Sequence, residues 1–227
     1  MGAPVMKDGR ESGTGETTRS PLGAVLPEGR LRAGTAASAG GDMPLLLALA
    51  AQTSQGAAGW AAVGLPQLGV LAAESAGLDL ARGMRIDEPG QRWGQVLATV
   101  LEAVPVVLVG SLGPVNDQVA RRLAAVMRRS GSILLAADQW RGAEVRLRVT
   151  SASWDGVGQG HGLLRGRRVT VAAAGRGAAT AARYAEMWLP GPEGLATPVH
   201  GQHDHGPDTD AAGTAVAQRR TAMHLVG

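Results

Sequence analysis

The sequence predicts an α/β protein with a mostly parallel sheet flanked by helices and antiparallel strands added towards its C-terminal end. Three observations carry that expectation. Val104–Val109 is a continuous, largely β-branched apolar run, the pattern of a strand covered on both faces. Asp117–Arg129 sets Val119, Leu123, Val126 and Met127 on one helical face and Arg121, Arg122, Arg128 and Arg129 on the opposite one. After Trp140 the period falls to two: Val145, Leu147 and Val149 alternate with Arg146, Arg148 and Thr150, and Val169 and Val171 with Arg168 and Thr170. Such alternation marks half-exposed antiparallel strands.

In chain order, Met43–Ala51 reads as a buried helix, Trp60–Leu65 as a strand, Leu68–Ala76 as a helix, Met84–Ile86 as a short strand and Gln91–Ala103 as a helix. Gly131 stops the helix that follows Val104–Val109, and Ser132–Ala137 supplies the next buried strand. Ala185, Met187 and Leu189 alternate with Glu186 and Trp188 in a closing strand. Residues 1–22 and 196–227 are polar and lack periodicity, so both read as disordered tails around a body at 23–195.

With 227 residues and no Cys, the chain is long enough for one self-supporting core, and disulfides, thiolate metal sites and cysteine nucleophiles are excluded. Its longest apolar run, Met43–Ala51, is far short of the roughly 20 residues that cross a bilayer. A cytoplasmic protein with no membrane partner is expected. The basic residues are 21 Arg and one Lys, and their placement is uneven. Residues 118–183 carry 12 Arg against 3 acids, a local balance of +9, while the segments on either side are each −3. That field could meet phosphate or an acidic partner.

Several segments resemble the RecA-like ATPase core. Leu26-Pro27-Glu28-Gly29-Arg30-Leu31 is similar to the turn leading into the strand before the phosphate loop, and Val106–Ser111 to the strand carrying the second ATPase motif. Ser132–Gln139 with Arg141 resembles the next strand with its terminal Gln, and Arg168–Gly175 with Ala182–Gly191 the closing hairpin. The chemistry departs from that family. The phosphate-loop stretch, Ala37–Leu45, has two glycines but neither the Lys nor the hydroxyl that hold phosphate and magnesium. It carries Asp42, placed to cap a helix beginning Met43-Pro44. The metal-binding acid of the second motif is replaced by Gly110, and the DNA-loop positions Leu112–Asn116 and Arg141–Ala143 are short turns.

A RecA-like protein so stripped resembles the actinobacterial SOS-mutagenesis accessory family ImuA-prime. The segments concerned are Trp60–Pro66, Arg92-Trp93, Trp154–Arg168 and Glu186–Gly191. The resemblance implies a non-catalytic adaptor in a translesion-synthesis complex, nucleoid-associated when assembled. Its implied partners are an inactive Y-family-like polymerase adaptor and an error-prone C-family polymerase. The alternatives are a non-specific DNA-binding RecA-like module and, third, a divergent ATPase.

No catalytic, cofactor or metal residue is assigned. Gly156–Gly160 has nucleotide-loop spacing, but a strand rather than a helix follows, so it reads as a tight connection with His161 as a turn residue. His200, His203 and His205 with Asp204 and Asp208 have ligand chemistry, but a polar tail opposes ordering around a metal. For partner binding the candidates are Trp188 as an aromatic anchor, Glu186 and Glu193 as its polar rim, and Met223 and Leu225 in the apolar end of the tail. For weak, non-specific DNA or an acidic partner they are Arg121, Arg122, Arg128, Arg129, Arg165, Arg167 and Arg168. The other tryptophans, Trp60, Trp93, Trp140 and Trp154, are expected mainly in packing.

Overall fold

The computed structural model describes residues 20–156, 163–176 and 180–199. The first part of the chain runs β1 (Ala36–Ser38), α1 (Met43–Ser54), β2 (Trp60–Val63), α2 (Val70–Ser75), β3 (Gly83–Ile86), α3 (Trp93–Ala103), β4 (Val106–Val109), α4 (Asp117–Ser130) and β5 (Ile133–Ala136). The last third adds β6 (Val145–Asp155), β7 (Gly166–Gly175), β8 (Arg183–Trp188) and β9 (Thr197–Pro198). All nine described strands join one sheet in the order β3-β2-β4-β5-β1-β6-β7-β8-β9. Pairings from β3 through to β6 are parallel, and β6–β7, β7–β8 and β8–β9 are antiparallel. The expected α/β architecture is the observed one.

Two cores sandwich the parallel strands, which explains their continuous apolar sequences. In β4, Val106 and Leu108 enter the core shared with α1, whereas Val107 and Val109 enter the core shared with α3 and α4. β5 divides in the same way, with Leu135 on the α1 side and Leu134 and Ala136 on the other. Beyond β1 the second face loses its helices. There only the inner residues of β6–β8, such as Val145, Leu147, Val169, Val171 and Met187, join the α1 core. Helix α4 behaves as its periodicity predicts: Leu123, Val126 and Met127 are buried, its four arginines are exposed, and Gly131 closes it in a left-handed conformation (φ 75°).

The boundaries differ in instructive ways. The polar tail expected over 1–22 ends sooner, because Pro21–Ala24 forms a short 3-10 helix that buries Leu22 and packs beside β8. Arg183 fixes that contact by donating to the Leu26 carbonyl at 2.8 Å. At the other end the body continues past Leu195 to pair Thr197–Pro198 with Met187–Trp188. Helix α1 runs three residues beyond Ala51, its Thr53 and Ser54 hydroxyls bonding back to the carbonyls of Leu49 and Ala51. Strand β1 lacks an apolar signature of its own because it is only Ala-Ala-Ser.

In β6, Val149 pairs with Val171 but the next register pair is Ser151 with Thr170, leaving Thr150 as an extra residue. This bulge inverts the alternation beyond it, so Ala152 and Trp154 share the inner face with Val145, Leu147 and Val149.

Candidate functional site

The turn from β1 into α1 is where a phosphate loop would lie. Asp42 caps α1, its Oδ1 accepting from the Leu45 N–H at 3.0 Å, and Pro44 follows in the first turn where a missing N–H costs nothing. Its Oδ2 accepts from Arg167 Nη1 at 2.7 Å, the two side chains being only 13% and 15% exposed. The positive end of the helix is thus already satisfied by a carboxylate from the protein, itself neutralised by a cation from β7. Asp138 is a second carboxylate at this turn: a Cβ on Gly41 would lie 3.5 Å from its Oδ1, and its Oδ2 accepts from the Ser111 hydroxyl at 3.3 Å. Strand β6 leaves little room on the other side, since a Cβ on Gly40 would come within 2.8 Å of the Leu147 carbonyl oxygen.

At the end of β4, Gly110 donates its N–H to Val63 at 3.0 Å, and a Cβ there would collide with the Gly64 carbonyl. A metal-binding acid at this position therefore requires a different path for the turn after β2. Residues 111–116 and 141–143 are short irregular connections, as expected from their composition. Among the described residues no group of three or more His, Asp or Glu converges as a metal site, and no buried side-chain polar atom lacks a hydrogen-bond partner. The His and Asp residues at 200–208, His161, Val157–Gly160, Met223 and Leu225 lie outside the described residues.

The candidate arginines separate into two kinds. Arg121, Arg122, Arg128 and Arg165 are exposed and have no ion-pair partner among the described residues. Arg129 meets Glu102 at 3.3 Å, Arg168 meets Glu186 at 2.7 Å, and Arg167 is withdrawn from the surface set by its bond to Asp42.

The tryptophans also sort differently from the sequence expectation. Trp60 and Trp140 are buried, and Trp93 is partly buried against the α3–α4 core. Trp188 does face away from Met187, cross-strand from Arg168, but it is half-buried, lying over Gly166, where a Cβ would be 3.1 Å from its ring. Glu186 beside it is bonded to Arg168, and Glu193 is exposed. Trp154, expected in packing, is 54% exposed. It lines a groove of about 320 Å3 together with Pro44, Leu47, Ala72, Leu164 and Leu189. Leu164 in that lining and Leu195, next to the lining residue Gly194, are exposed apolar side chains there. Sequence reasoning missed the exposure of Trp154 because its inner-face position near the end of β6 opens into the groove, and missed the Arg167–Asp42 pair because 125 residues separate the partners.

Residues 24–142 match the family described as the MT3502 N-terminal domain. The chain belongs to that family. It is also 34% identical over 141 residues to the uncharacterized protein Rv3395c of Mycobacterium tuberculosis, an alignment covering 60% of this chain and 68% of that protein. The family match spans β1 through β5 and the turn after them, so β6–β9, with Trp154 and Arg167, follow the matched residues.

Proposed function

We propose that this MT3502-domain protein is a non-catalytic adaptor of the ImuA-prime type, acting through protein contacts in an SOS-inducible translesion-synthesis complex. The observation that carries the non-catalytic part is the Asp42–Arg167 pair at the N-terminus of α1. A nucleotide phosphate entering that turn would meet Asp42 and Asp138, with Arg167 already bonded and no Lys or metal-binding acid in the motif positions. Phosphoryl transfer rests on electrostatic stabilisation that this arrangement does not supply. The translesion assignment rests on the sequence resemblance of Trp60–Pro66, Arg92-Trp93, Trp154–Arg168 and Glu186–Gly191. The proposed partners are the inactive Y-family-like polymerase adaptor and the error-prone C-family polymerase, and the apolar groove around Trp154 is a surface suited to such contacts.

Affinity capture of the full chain from DNA-damaged cells, followed by mass spectrometry, tests this reading. Co-recovery of both polymerase-class partners is the expected result. Recovery of neither rejects the complex, and magnesium-dependent ATP hydrolysis above background by the purified chain rejects the non-catalytic assignment. The second reading, a non-specific DNA-binding module, is favoured by the unpaired Arg121, Arg122 and Arg128 on α4.

A further inference from the structure

The open face of β6–β8 is neither covered by a helix nor used by the adaptor reading. On it, Arg148 pairs across β7 with Ala172, and Ala172 pairs with Tyr184. One step along, Arg146 pairs with Ala174. The result is a trough floored by two alanines, with guanidinium groups along one wall and a phenol ring on the other. Arg146 and Arg148 are exposed and have no ion-pair partner among the described residues, and Tyr184 is 63% exposed. Further along the same face lie the hydroxyls of Ser151 and Thr170, bonded to each other at 2.8 Å. Of the carboxylates there, Glu186 is bonded to Arg168, and Glu144 and Asp155 flank the two ends of the exposed β6 row.

We propose that this face binds single-stranded nucleic acid, with Arg146 and Arg148 on successive phosphates and Tyr184 stacking a base. Alternate residues of a strand are about 6.8 Å apart, a spacing suited to successive phosphates of an extended strand. A ring flanking a cationic track is the arrangement by which proteins hold single strands without reading sequence. An acidic polypeptide would use the arginines but has no need of the ring, so the Arg–Ala–Tyr row favours nucleic acid. The surface differs from the α4 arginines and from the Trp154 groove, and its failure leaves the adaptor reading intact.

The test is fluorescence anisotropy of the full chain with a labelled oligothymidylate of about 20 nucleotides, longer than one typical site. Arg146→Ala/Arg148→Ala is expected to weaken binding at least tenfold and to flatten the salt dependence by about 1.4 log units per log unit of salt, two contacts at roughly 0.7 each. Tyr184→Ala should weaken binding about tenfold, whereas Tyr184→Phe should not. Circular dichroism should show every variant folded. The proposal is overturned by absence of binding in the wild-type chain, or by loss in Arg121→Ala/Arg122→Ala with the β6–β8 variants unaffected. Polyglutamate competing as well as oligothymidylate, with Tyr184→Ala silent, overturns it in favour of an acidic polypeptide.

Discussion

Arg167 on β7 donates to Asp42 at 2.7 Å across 125 residues of sequence, tying the sheet's antiparallel extension to the first turn of α1. One carboxylate thereby caps a helix and neutralises a sheet arginine. Asp42→Ala should cost about 2–4 kcal/mol, combining a lost cap with a largely buried unpaired guanidinium. Asp42→Asn keeps the capping oxygen and should cost less. Urea unfolding of both, with Arg167→Ala and the double variant, should give a coupling energy of about 1–2 kcal/mol. Additive effects would show that the pair is not an energetic unit.

Gly110→Asp restores the acid expected of the second ATPase motif but places a Cβ against the Gly64 carbonyl. Thermal unfolding should reveal a loss of about 2–4 kcal/mol with no gain of nucleotide hydrolysis. A stable variant that hydrolyses ATP would contradict both the steric account and the exclusion of phosphate from the β1–α1 turn by Asp42 and Asp138.

Trp154→Ala and Trp188→Ala should separate recognition from folding. Trp154 is largely exposed, so its loss should change stability by no more than about 0.5 kcal/mol while reducing partner capture several-fold. Trp188 lies over Gly166 and its loss should destabilise by about 2 kcal/mol. Unchanged capture with folded Trp154→Ala would remove the groove from the interface.

The Arg32 guanidinium, hydrogen-bonded to Glu28 at 2.6 Å, holds that carboxyl below its ordinary 4.5. Because the folded value is the lower one, the pair's contribution is present above pH 4.5 and is lost as pH falls through the depressed value. The melting difference between wild type and Glu28→Gln should therefore be small at neutral pH, screened by water, and vanish in acid. A difference that grows on acidification would reverse the sign of this linkage.

The parallel half of the fold was legible because its strands are buried on both faces and its helices carry long periods: Val106–Val109 and Asp117–Ser130 fall close to the expected spans. Asp42 was readable as a cap because capping is local, set by three residues of sequence. Arg167 was not, since its role comes from a partner on a distant element. Arg146 and Arg148 were visible as exposed positions, but their alignment with Tyr184 depends on strand register, which alternation alone does not fix. Trp154 was expected in packing by its residue type; the bulge does turn it inward, but near the end of β6 that face opens into the groove, which local periodicity does not show.

Thr150, the extra residue of that bulge, lies between two surfaces. Before Thr150, β6 turns its arginines to the open face, and after it the same strand turns Trp154 to the groove. Deleting Thr150 would close the bulge and leave Ser151–Asp155 opposite their present partners on β7, so alternation would become uniform while Trp154 kept its place at the groove. The bulge is thus a spare link, one the ribbon can lose without turning over. A single deletion in β6 is therefore best tolerated at Thr150, whereas one elsewhere turns the later side chains over unless the bulge closes to absorb it.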